Sequence, residues 1–199
     1  MKNYILPKKS LQYFIFTESE TSSLFDETRN TKEPLKKQIE DINMKNNEIF
    51  SIIRIGTYKQ YEKSIAGVDI DCFNEYKQNL LQEAIAACKN DIAKDLINRN
   101  IDLNHQDSNG QAPLHYCAQY LNIEIARLLL SKNADINIED AYGNNPLWTA
   151  VFNARGDYRM VELFIEYNAN IHHLNKVRRS PLDFAKQIDD TKLIQILSK

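Results

Sequence analysis

The side chains able to do chemistry in this 199-residue chain are scattered, not assembled. His172 and His173 are adjacent and could begin a metal site, but no third ligand follows at a regular spacing. Cys72, Cys88 and Cys117 are dispersed and odd in number, which suits reduced thiols in a cytoplasm better than disulfides or a metal cluster. Cys117 lies in an apolar run and reads as a small buried residue, not a nucleophile. Asp189 and Asp190 stand at a helix start, where negative charge suits the dipole. Arg155-Gly156-Asp157 matches an integrin-binding tripeptide, a triplet common by chance. Arg178 and Arg179 make a local positive spot. No Gly-rich phosphate loop and no nucleophile–base pair accompanies them, so no enzyme, metal or cofactor is expected.

Bulk properties narrow the partner class. A formal charge of −2 is too near neutral to imply nucleic-acid binding. The apolar runs fall far short of the ~20 residues that span a membrane, and no secretory signal is evident.

The elements that position the remaining candidates repeat. Asp107, Gly110, Pro113, Leu114, Cys117, Leu129, Leu130, Asn133 and Ala134 recur as Asp140, Gly143, Pro146, Leu147, Ala150, Phe164, Ile165, Asn168 and Ala169. The step is 33 residues at first and 35 later, which places a two-residue insertion near Ala154–Asp157. Within each unit, apolar residues at i, i+3 and i+4 predict two short amphipathic helices. A fixed period of this length marks a repeat architecture. Asn79, Asn145 and Ser180 precede the first helices and should cap them. Ala112 cannot, so Ala112→Thr should stabilise the protein. Asn100, Asn133 and Asn168 end the second helices, where a left-handed backbone is required.

The segments GQAPLHYCA and GNNPLWTAV resemble the ankyrin repeat, whose consensus carries G-x-T-P-L-H-x-A-A. The resemblance implies an all-α solenoid of about five helix-turn-helix repeats with an N-terminal extension. The expected divisions are 1–45 for the extension and 46–72, 73–106, 107–139, 140–174 and 175–199 for the repeats. In the extension, Asn3–Ile5 and Leu11–Thr17 have weak strand character, and Thr17–Lys32 reads as loop. Leu35, Ile39 and Ile42 after Pro34 predict a helix that covers the open end of the stack.

Family resemblance further implies that a concave face of turn tips and first helices binds another protein. Its candidate residues are Tyr76, Gln78, Ser108, Asn109, Gln111, Gln119, Tyr120, Tyr142, Asn144, Trp148, Phe152, Asn153, Arg155 and Arg179. Tyr76, Tyr120, Tyr142 and Phe152 fall where the core does not need an aromatic, and such residues are enriched at binding hot spots. Trp148 replaces the consensus histidine kept at His115; it and Phe152 either make contact or fill space opened by the insertion. The segments PLWTAV and SPLDFA resemble small bacterial ankyrin proteins encoded beside secreted toxins. That implies an immunity protein that neutralises a cognate toxin domain. The alternatives are a regulatory scaffold, a translocated effector that binds a host protein, or chemistry held within residues 1–72.

Overall fold

The computed structural model describes residues 29–198, with side chains from residue 40 onward. Among these residues the chain is helical. The elements are α1 (Arg29–Ile55), α2 (Tyr58–Ser64), α3 (Leu80–Ala86), α4 (Asn90–Asn98) and α5 (Pro113–Gln119). They continue with α6 (Ile123–Ser131), α7 (Pro146–Asn153), α8 (Arg159–Glu166), α9 (Pro181–Gln187) and α10 (Thr191–Leu197). First helices pack in one row, α1 on α3 on α5 on α7 on α9. Second helices pack in another, α2 on α4 on α6 on α8. Between the rows runs one apolar core, from Ile49 and Ile53 through Leu81, Leu96, Leu114, Leu129, Leu147 and Phe164 to Leu193 and Leu197. A helix of seven to nine residues is too short to stand alone in water. Each is held by its neighbours, so the stack gains stability repeat by repeat.

Local chemistry sets where many of the helices begin and end. The side chains of Thr57, Asn79, Asn145 and Ser180 each accept the amide three residues ahead. Proline occupies the first position of α5, α7 and α9, where its missing N–H costs nothing. Asn100, Asn133 and Asn168 are left-handed, with φ of 61°, 62° and 61°. Each closes a Schellman motif; in the first, the amides of Asn100 and Ile101 donate to the carbonyls of Ile97 and Leu96. Cys88 and Asp189 do the same at the ends of the first helices α3 and α9, with φ of 55° and 54°, and Leu121, with φ of 52°, ends α5 with the Asn122 amide on the Cys117 carbonyl. No apolar pattern marks those three, and they emerge only from the geometry.

The connections between repeats are stitched by a second periodic device. Asn74, Asp107, Asp140 and Asn175 each use one side-chain oxygen to accept the amides two and four residues ahead. The tips so formed are laddered: Ser108 N–H donates to Tyr76 C=O, Ala141 to Asn109 and Lys176 to Tyr142. Gly110 leaves no room for a side chain at its tip, since an added Cβ would lie 2.6 Å from the Ala141 nitrogen.

Two expectations for the N-terminal side need correction. The loop expected over Thr17–Lys32 gives way to helix from Arg29, and Pro34 lies within α1, not at its start. The helix also runs unbroken across residues 45 and 46, because no Gly or Pro lies between Pro34 and Gly56. Ile49, Phe50 and Ile53 anchor it in the core, whereas Ile42 and Met44 are exposed, so that turn does not cover the stack. The side chains of Leu35 and Ile39, and the strands expected at Asn3–Ile5 and Leu11–Thr17, lie outside the described residues.

Candidate protein-binding face

The row of first helices and the laddered tips share one surface. The tips carry Tyr76, Asn109, Tyr142 and Val177 at equivalent places, the second residue after each Asn or Asp that organises the turn. Tyr76 is 57% exposed and Tyr142 68%. On the helices behind them, Tyr120 is 42% exposed and Phe152 54%. Ser108, Asn109, Gln119, Arg155 and Arg179 are also exposed. These residues form the open part of the predicted face.

Other predicted residues are committed to the framework. Gln78 donates to the Tyr116 hydroxyl at 2.6 Å, tying one tip to the next first helix. Gln111 offers its carbonyl to Gln82 at 2.6 Å. Asn144 accepts from His115 through its carbonyl and from Asn175 through its side chain. Asn153 turns back onto the Thr149 carbonyl at 2.8 Å. All four are half-buried.

Trp148 shows what its substitution changes. In the preceding repeats the equivalent side chain is a latch. Gln82 accepts the Asn79 amide and donates to Gln111 C=O of the next turn. His115 accepts the Ala112 amide on Nδ1 and reaches Asn144 C=O with Nε2 at 3.0 Å, so its proton sits on Nε2. Burial holds its imidazole below the ordinary histidine range. Trp148 makes neither bond, and its buried indole N–H has no acceptor among the described residues. Instead it joins a three-ring cluster with Phe152 at 6.0 Å and Phe184 at 5.4 Å; Phe152 and Phe184 lie 5.3 Å apart.

The insertion projects less than expected. Residues 154–158 replace residues 120–122 of the preceding repeat. Ala154 is buried, and only Arg155 and Gly156 stand out. Asp157 grips Arg159 at 2.6 Å, which holds its carboxyl down at about 2. Tyr158 reaches across to Asp190, the cap of α10.

Three aromatic or apolar residues at or just beneath this surface are absent from the predicted set. Tyr116 occupies a helix position facing the tips and donates to Asp107 at 2.7 Å. Phe184 falls at the same register in the last repeat, and Ile188 matches Tyr120. Counting forward from Tyr116 and Tyr120 by the repeat period is the signal that finds the latter two.

A family model described as ankyrin repeats (3 copies) matches residues 56–140 and 81–175. The chain belongs to the ankyrin repeat family. No curated protein matches it. The ankyrin repeat is a protein-binding module, typically without enzymatic activity, and another protein is the partner class it indicates. Among the described residues of this ankyrin stack, no helix is long and apolar enough to cross a membrane. Burial pushes the Cys72 thiol up to about 12 and raises Cys117 as well, so both remain protonated and unreactive at neutral pH.

Proposed function

We propose that this ankyrin protein acts by stoichiometric binding of a partner protein through the face formed by its first helices and turn tips. The observation that carries the reading is the set of exposed aromatics on that face. Tyr76, Tyr120 and Tyr142 contribute little to the core, Phe152 leaves half its surface open while packing in the Trp148 cluster, and all four sit on a hydrogen-bonded scaffold. Aromatics held this way lose little side-chain freedom when a partner covers them. The double variant Tyr120→Ala, Tyr142→Ala tests the assignment. Affinity for a co-purifying partner should fall while the thermal transition stays in place; unchanged affinity would remove these residues from the interface.

The finer reading is a bacterial immunity protein that neutralises a cognate toxin domain from within the cytoplasm. Its support is the resemblance carried by PLWTAV and SPLDFA. Under this reading, expression of the protein rescues cells producing one particular toxin domain, and the double tyrosine variant does not. A set of several regulatory or host-like partners, with no toxin domain among them, would favour the scaffold or effector alternative.

A further inference from the structure

We propose that the C-terminal end of this face is shaped for an acidic partner segment bearing a large apolar side chain. The inference rests on the protein-binding reading above and specifies the chemistry of the partner. Two features converge there, an aromatic shelf and a basic tip. At α7 the latch residue has been exchanged for Trp148, and the result is a ring cluster whose outer member, Phe152, faces solvent. Phe184 and the exposed Ile188 extend the apolar surface along α9.

The neighbouring tip is basic. Lys176, Arg178 and Arg179 are exposed and make no ion pair among the described residues. Arg179 Nη1 donates to Gln187 Oε1 at 2.6 Å, which sets the guanidinium beside the α9 surface. The nearby carboxylate of Asp183 is occupied by the amide and hydroxyl of Ser180.

Arg178 belongs to that tip. It has φ of 58° at the tip position where Gly110 and Gly143 stand in the two preceding repeats. A left-handed arginine is disfavoured relative to glycine; Lys77, with φ of 58°, holds the equivalent place in the first tip, so both outer tips carry a cation there. A basic rim beside a shelf of aromatic rings is complementary to acidic side chains flanking an apolar anchor.

The test uses the full-length protein to select from a phage-displayed random peptide library. The expected peptides concentrate Asp and Glu around a Trp, Phe or Leu. Synthetic copies should bind about tenfold more weakly to both Phe152→Ala and Arg178→Gly, and more weakly as salt rises. Arg178→Gly is the sharper variant, because it relaxes the backbone while deleting the charge, so binding should fall as stability rises. Selected peptides without acidic enrichment, or indifferent to either substitution, overturn the proposal. If those peptides still depend on Tyr120 or Tyr142, the broader binding reading survives. If no peptide engages the first-helix face, both readings fall. A labelled single-stranded oligonucleotide held by the same arginines would also overturn it.

Discussion

Ala112 begins α5 with no side-chain oxygen to offer, while Thr57, Asn79, Asn145 and Ser180 all cap their helices. Half of the capping box survives, because His115 Nδ1 takes the Ala112 amide at 3.0 Å. A hydroxyl should restore the other half. Ala112→Thr is expected to add about 0.5–2 kcal/mol, read as a rise in the urea midpoint; Ala112→Ser repeats the test with less volume. Cys88 presents the opposite case. It is exposed and left-handed at φ 55°, so its side chain strains the backbone without serving the core. Cys88→Gly should stabilise by about 1 kcal/mol, and a fall in the midpoint would show that the thiol contributes more than its exposure suggests. Trp148 is costlier. A buried donor left without an acceptor costs about 1–3 kcal/mol, offset here by packing against two phenylalanines.

At the scale of elements, α1 behaves as two segments of one helix. Its last turns carry Ile49 and Ile53, both buried, and Arg54, which pairs with the buried Glu83 of α3 at 2.7 Å. Its middle turns expose Met44. Ile53→Ala should therefore cost about 2–5 kcal/mol, while Met44→Ala should stay within about 0.5 kcal/mol. Equal losses in thermal denaturation would mean that the exposed turns are as essential to the stack as the anchored ones. The periodicity of Ile49, Ile52 and Ile53 makes the helical face legible. The unbroken run through residue 45 is less legible, because repeat length suggests a boundary there whereas a helix obeys only its local breakers.

Across the whole molecule, stability is tied to inter-repeat latches, and one of them titrates. Burial lowers the His115 pKa from its unperturbed 6.5. The folded state then binds fewer protons than the unfolded state at mildly acidic pH. The latch contributes in full above about pH 6.5 and is lost as the pH falls towards the folded value. Gln82 makes the equivalent two bonds without titrating. His115→Gln should keep the bridge to Asn144 and flatten the loss of stability between neutral and mildly acid pH, followed by denaturant midpoints. An unchanged pH profile would assign the acid sensitivity elsewhere.

Periodic features are legible in the chain because each repeat imposes the same backbone demand. The spacing of Asn133 is enough to place it in a left-handed turn, since only a few residues tolerate that conformation and it recurs at Asn100 and Asn168. The exposed tyrosines follow from register in the same way. What depends on tertiary structure is how side chains from different repeats share space. Gln78 and Asn144 are at tip positions open to solvent by register, but neighbouring repeats supply partners that draw them inward. Phe184 becomes part of the Trp148 cluster only when α9 packs on α7. Sequence determined the period, the caps and the ends of the second helices, which are local. The stacking of one repeat on the next decided which polar groups are consumed and which rings and cations stay exposed.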